Sequence, residues 1–267
     1  LTEIAKTIHN KIEDENAIPA FPVNLSIDRI AAHFHPALED ETTAKGLLKV
    51  DFGISVDGYI ADTAISLDLT PENEYKKLIE SAELALEKAI ELLSKNPTIH
   101  EIGLEIKETI ESKGFSPITN LSGHSIDRYK VHAGITIPNY GNNNKNKLKP
   151  GVYAIEPFAT TGAGSIYEGQ SGNIYSIVSE KTPRSQKARE IFNFVSGRYK
   201  TLPFSLREIQ EKFGPISRLS LKEMETQGII KSYNQLIEKT HKSVAQAEHT
   251  IIITESNGKR EVVVTTL

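Results

Sequence analysis

The sequence predicts helices and antiparallel hairpins in separate blocks, an α+β pattern, on three observations. Asp57-Gly58 lies between two alternating runs, residues 49–56 and 59–66. Asn257-Gly258 lies in the same way between residues 251–254 and 261–264. Both dipeptides favour a two-residue hairpin turn, whose central positions require positive φ. Between the hairpins, Leu78, Ala82, Ala85, Leu86, Ala89, Ile90 and Leu93 keep helical spacing.

Taken in order, residues 2–14 read as a short helix on Ile4, Ile8 and Ile12, followed by a Pro-rich lead-in at residues 18–22 and a polar loop around residues 31–35. After the first hairpin, Thr70-Pro71-Glu72 supplies an N-cap, a proline at the first helical position and an acidic first turn, so a helix is expected from there to about Lys95. Thr98-Ile99-His100-Glu101 is a capping box for a second helix that stops at Lys113-Gly114. Strand-like stretches follow at residues 118–121, 131–137 and 152–158, with a turn-rich Asn run at 142–146. Residues 182–247 change character: three short helices are expected, with capping boxes at Ser205/Glu208 and Ser220/Glu223 and a stop at Gly228. This reads as an inserted helical, winged-helix-like subdomain. Its acidic and basic residues are mixed, which favours a structural or partner-docking role over contact with nucleic acid.

The chain has 267 residues with 31 Lys plus Arg against 35 Asp plus Glu. The net charge of −4 argues against a dedicated nucleic-acid binder. With no Cys, disulfides, thiolate metal sites and cysteine nucleophiles are excluded, and any metal must be held by His, Asp and Glu. No apolar run suits a membrane span and no signal-peptide order is present, so a cytoplasmic protein is expected. The chain opens on Leu1, not Met, directly in a helical pattern, and a segment upstream of it, lost, removed or not in view, is expected.

With Asp57-Gly58 as the turn, Asp51 faces Ala64 and Asp62 faces Gly53, which puts both aspartates on one face of the hairpin, diagonally. Diagonal neighbours lie roughly 7–8 Å apart, a gap that inward carboxylates and a cation would fill, and Gly53 opposite Asp62 leaves room. A solvent-face pair is the alternative, although Asp is disfavoured in strands and like charges repel. His124, in Gly123-His124-Ser125, and His132, eight residues on, share a side only if the chain between them stays extended. Each alone is more readily read as a structural residue than as a ligand. Glu156 sits inside an apolar strand and Glu248 where the last strand begins; an acid in either place needs a partner.

Asp51, Asp62, Gly123-His124-Ser125, Ile155-Glu156-Pro157 and residues 245–250 (Ala-Gln-Ala-Glu-His-Thr) together resemble the five-ligand pattern of the methionine aminopeptidases. Pro19-Ala20-Phe21-Pro22, Ala31-Ala32-His33-Phe34 and Val131-His132-Ala133-Gly134 resemble the type 2 branch, as does a helical insertion ahead of Glu248. The resemblance implies the pita-bread fold, two related α+β halves around a curved antiparallel sheet. Residues 1–181 and 248–267 would form that catalytic domain, and residues 182–247 the insertion.

It also implies two divalent metal ions, with Asp51 on one, His124 and Glu156 on the other, and Asp62 and Glu248 bridging. Four carboxylates and one imidazole suit Mn, Fe, Co or Zn and not copper. Glu156 would shuttle the proton and His132 would donate to the developing oxyanion, with His33 lining the substrate site opposite. Phe21, Val131 and Ile174 would wall the methionine pocket. The implied partner is the N-terminal methionine of nascent polypeptides, met by a monomer with ribosome association. Departures at Ser122 and Ala159-Thr160-Thr161 touch substrate fit more than metal binding. Within the fold the rivals are X-Pro peptidases, which carry a large extra N-terminal domain, and non-catalytic binding proteins that have lost ligands.

Overall fold

The structure, a computed structural model, describes residues 1–266. Helix α1 (Thr2–Asp14) leads into strands β1 (Ile18–Ile27) and β2 (Ile30–Ala32), then the hairpin β3 (Leu47–Val56) and β4 (Tyr59–Asp68). Helices α2 (Lys76–Leu93) and α3 (Ile99–Ser112) follow, then β5 (Ser116–Pro117), β6 (Ser122–Ile126), β7 (Thr136–Pro138), β8 (Gly151–Ile155), β9 (Phe158–Thr160) and β10 (Ile166–Ile177). Helix α4 (Gln186–Arg198), β11 (Phe204–Ser205), α5 (Leu206–Phe213) and α6 (Ser217–Thr226) form the helical region. The chain closes with β12 (Ile230–Glu238), β13 (Val244–Gln246), β14 (Glu248–Ser256) and β15 (Lys259–Val264).

The main antiparallel sheet runs β1-β3-β4-β14-β8-β6-β7, with β15 paired to β14. Both expected hairpins are present, and the first keeps the expected register, Asp51 opposite Ala64 and Gly53 opposite Asp62. Helices α2 and α3 cover one face: Leu78, Leu86, Leu93, Ile102, Ile106 and Ile110 pack on Leu47, Tyr153, Ile155 and Ile251. The Thr98 capping box forms as expected. No described helix is long and apolar enough to cross a membrane.

Several local expectations yield to tertiary context. The Pro-rich lead-in is strand β1, tolerable because β1 is the edge of its sheet, where a missing N–H costs no ladder bond. Part of the polar loop is the strand β2. Thr70-Pro71 does not start a helix; Asp68 ties that turn by accepting from the Thr70 N–H and hydroxyl and from the Tyr75 N–H, and α2 begins only at Lys76. Residues 118–121 form a turn whose Ile118 and Leu121 carbonyls accept from Asn139, and the strand starts at Ser122. Of the expected strand at 131–137 only Thr136 and Ile137 fall in a strand, β7, which runs on to Pro138. The run 152–158 breaks at Glu156-Pro157, so that β8 and β9 enter different sheets.

Three helices do occupy the middle of 182–247, and Ser205 caps α5, although the expected box is only half formed because the Glu208 carboxylate is engaged by Tyr199 and Arg198. Ser220 is no cap: it lies inside α6, and Glu223 instead accepts from the Arg184 and Ser185 N–H groups at the entrance to α4. Strands β12 and β13 were not anticipated. β12 pairs with β10 and β2, and β13 with β9, which ties residues 230–246 into sheets shared with the rest of the chain. Ile191, Val195, Tyr199, Ile209, Leu221 and Met224 of the helices share a core with Phe21 and Val131. The helical region therefore backs the wall on which those two residues stand.

Candidate metal centre and substrate cavity

Asp51 and Asp62 are carried to one face of the hairpin by its register, and both are buried, at 9% and 2% exposure. Gly53 does not leave open space beside Asp62, contrary to expectation. A Cβ there would lie 2.7 Å from the Phe21 ring, so the missing side chain admits Phe21. Glu248 opens β14 opposite Ala64, which places it beside the aspartate pair. The Thr250 hydroxyl accepts from the Asp62 N–H and donates to the Asp62 carbonyl, locking the strand crossing that holds Asp62 and Glu248 together.

On the other side, β6 pairs with β8, and a Cβ on Gly123 would meet the Ala154 carbonyl oxygen at 2.4 Å. That close approach sets His124 beside Glu156: Nε2 is 3.5 Å from Glu156 Oε1 and 3.8 Å from Asp62 Oδ2. Potential ligand atoms of Asp62, His124 and Glu248 all lie within 4.8 Å of one another. The Gln246 amide donates to Asp51 Oδ2 at 3.3 Å and Glu248 Oε2 at 3.4 Å, linking the two ends of the group.

The electrostatics of the group are unbalanced. Burial pushes Asp51 up to about 7. Burial, with the neighbouring carboxylates, pushes Asp62, Glu156 and Glu248 well above the ordinary carboxylate range. Burial and the adjacent His132 hold His124 down to about 3, so its imidazole is neutral and able to ligate. Asp51 Oδ1, Asp62 Oδ1 and His124 Nδ1 are buried without a hydrogen-bond partner. Unpaired carboxylates in such a setting demand protons or cations. The donor set fits hard divalent metals.

His132 reaches the centre by a route opposite to the extended one considered from the sequence. Residues 127–135 arch back onto β6: Asp127 and Lys130 bond each other, the Ala133 N–H donates to the Ser125 carbonyl, and the Ile135 N–H to Ser125 Oγ. The His124 and His132 rings end 4.3 Å apart, edge to face. Burial and Lys231 lower the His132 pKa, favouring the neutral ring. His33 stands at φ 64 after β2, its carbonyl so close to Gly172 that a Cβ there would lie 1.8 Å away. Burial, then His132, bring His33 down to about 4.

A cavity of about 310 Å³ joins these parts. Its lining includes all ten residues singled out from the sequence: Asp51, Asp62, His124, Glu156 and Glu248; His33 and His132; and Phe21, Val131 and Ile174. It also includes Tyr233, whose ring meets His33 at 5.5 Å, together with Asn24, Phe158 and Leu236. No motif in the sequence marked these four. Tyr233 and Leu236 lie on β12, in a stretch read as helical. Asn24 is turned inward by a register shift in β1 between Phe21 and Asn24, which breaks the alternation of faces.

Residues 1–255 match the description of metallopeptidase family M24. The chain is 44% identical over 272 residues to a methionine aminopeptidase of Pyrococcus abyssi, covering 100% of this chain and 90% of that protein. Among solved structures it is similar to a thermophilic Arx1, with a TM-score of 0.81 at 17% identity over 98% of this chain and 82% of that one. It is also similar to the methionine aminopeptidase of Rickettsia prowazekii, with a TM-score of 0.65 at 22% identity over 99% and 85%. Likenesses at these identities establish the fold, including its pita-bread sheet.

Proposed function

The chain belongs to metallopeptidase family M24, and from that premise we propose that it is a methionine aminopeptidase, releasing the N-terminal methionine of polypeptides whose second residue is small. The observation that carries this reading is the convergence of a carboxylate and imidazole donor set, two further histidines and an apolar wall on one cavity. Two divalent ions drawn from Mn, Fe, Co or Zn would be held by Asp51 at one end and by His124 and Glu156 at the other, with Asp62 and Glu248 serving both. Bound there, they supply a nucleophilic water near neutral pH and Lewis acidity for the scissile carbonyl.

The protein's own residues account for the rest. Glu156 has its proton affinity raised by burial and by Asp51 and Asp62, as suits a group that takes a proton from water and delivers it to the leaving amine. His132, on the cavity lining beside His124, presents a ring N–H to the oxygen on which charge develops. His33 contributes a second neutral ring from the opposite wall. Phe21, Val131 and Ile174, each buried to within 9% exposure, accept an unbranched apolar side chain and offer no partner to a charged one. His33 and His132 narrow the space beyond the scissile bond, which limits the second residue to Ala, Gly or Ser.

Such substrates arise on nascent chains, and the reading carries a cytoplasmic setting, action as a monomer and docking at the ribosome, with the helical region of 182–247 as the accessory unit. A panel of Met-Ala, Met-Lys and Ala-Pro peptides, assayed for free amino acid with the metal-loaded protein, tests it. Methionine release from Met-Ala only is expected. Cleavage of Ala-Pro with no need for Met would reject the reading.

A further inference from the structure

The lip of the cavity is shared with a second groove. Gly134, Ile135 and Thr136, exposed and two to four residues past His132, line the catalytic cavity. They also line a groove of about 840 Å³ that continues past residues 144–150 to Glu255 and Arg260. We propose that the substrate polypeptide leaves the cavity over this lip and lies along that groove, so that the protein favours chains carrying acidic residues from about the fourth position onward. The proposal rests on the aminopeptidase reading and extends it from the scissile bond to the downstream chain.

Backbone geometry supports the path. β7 is the last strand of the main sheet; α3 covers its outer edge at Pro138, whose carbonyl would lie 2.6 Å from a Cβ on Gly103, and no described strand pairs with that edge at Thr136. Ser125 and Ile135 face each other with hydrogen bonds inward: the Ser125 N–H donates to the Ile135 carbonyl at 2.9 Å and the Ile135 N–H to Ser125 Oγ at 3.0 Å. Hydrogen-bonded and non-hydrogen-bonded pairs alternate in antiparallel strands, and Thr136 is the next pair, opposite His124. Its N–H and C=O therefore point away from β6, toward that edge. An extended peptide emerging beside His132 meets a backbone able to receive it by strand addition. With the first two residues held inside, the third is the first to clear the mouth.

Charge then selects the chain that stays. Lys145, Lys147, Lys149 and Arg260 line the groove against one acid, Glu255, on a protein whose net charge is −4. The three lysines are exposed, and none is ion-paired among the described residues. Arg260 is set in place by the Leu93 and Leu148 carbonyls, both at 3.2 Å. Carboxylates along an extended peptide suit this wall, and cationic side chains are repelled by it.

The test compares three peptides on the metal-loaded protein: Met-Ala-Ser, the same tripeptide extended by four Asp and Glu residues, and the same extended by four Lys residues. Methionine release from Met-Ala-Ser tests the parent reading. The ratio of kcat/KM between the two extended peptides tests the groove, with a ratio of about tenfold in favour of the acidic tail expected at low salt and shrinking as salt screens it. A Lys145→Glu/Lys147→Glu/Lys149→Glu variant is expected to abolish or invert the ratio while leaving Met-Ala-Ser turnover unchanged. Binding of a fluorescent, uncleavable acidic-tailed peptide reads the same preference without turnover, so the groove is tested even if no methionine is released. Equal handling of the two tails by the unaltered protein overturns the proposal. So does a ratio of one accompanied by binding of a ribosomal RNA hairpin that the triple variant loses, which assigns the lysines to nucleic acid.

Discussion

Two kinds of buried carboxylate occur in this protein, and they live under opposite conditions. Glu238, fully buried at the end of β12, accepts from the Ala163 N–H on one oxygen and from the Thr240 N–H, the Thr240 hydroxyl and the Lys242 N–H on the other. Burial pushes its pKa up, but these donors outweigh burial and leave it below the ordinary value. Asp51, Asp62, Glu156 and Glu248 are buried with almost no donors, and all four are raised. Burial therefore does not by itself mark a site. A carboxylate that the fold uses as a brace is surrounded by N–H groups, whereas one that is left bare faces its own kind and takes its positive charge from outside.

The largest way to break the contrast is to remove a residue proposed to serve both metals. Asp62→Ala and Glu248→Ala are expected to lose both bound metal and all measurable turnover, and metal analysis after dialysis decides it, since full stoichiometry in either variant removes the bridging assignment. Next in size, His132→Ala should keep its metal and lose roughly 10²–10³ in turnover, the scale for one preorganised donor. A lost metal equivalent in that variant would make His132 a ligand.

The two kinds of acid also carry opposite pH signs. Asp51 has a folded pKa of about 7, raised above 3.8, so its contribution to stability is fully present below about 4 and is lost as pH rises through about 7. Metal-free protein should accordingly lose on the order of 5–10 °C in thermal midpoint between pH 5 and pH 8, and added divalent metal should restore it. A flat profile by calorimetry would mean the bare carboxylates are compensated within the chain. Glu238, with its pKa lowered, contributes stability that is present above its unfolded value and is lost as pH falls through the folded one. The smallest expected effect is that of Glu238→Gln, about 1–2 kcal/mol by denaturant titration with metal content unchanged. Loss of metal from that variant would collapse the distinction between brace and site.

Legibility from the sequence followed the range of the interactions involved. Asp57-Gly58 selects a turn, the turn sets a register, and the register puts Asp51 and Asp62 on one face; every step is local. The Thr98 and Ser205 caps, likewise confined to three residues, were readable. Thr70 and Ser220 carried the same local signals and failed, because Asp68 organises the first turn and Glu223 is engaged at the entrance to α4. The proposed metal-ligand set as a whole rests on resemblance, since no periodicity relates Asp51 to Glu248.

Chain-local chemistry decided the two hairpins, the presence of helices α2 and α3, and the identity of the acids and imidazoles available to a metal. Only the folded molecule decided that His132 arrives beside His124 through an arch tied to Ser125, that the space at Gly53 belongs to the Phe21 ring, and that β12 brings Tyr233 to His33. Those three outcomes depend on hydrogen bonds and steric contacts between residues tens to hundreds of positions apart, or on which of two local conformations such contacts reward. A turn or a cap is chosen within a few residues, but a close approach between distant segments exists only once the whole sheet is closed around it.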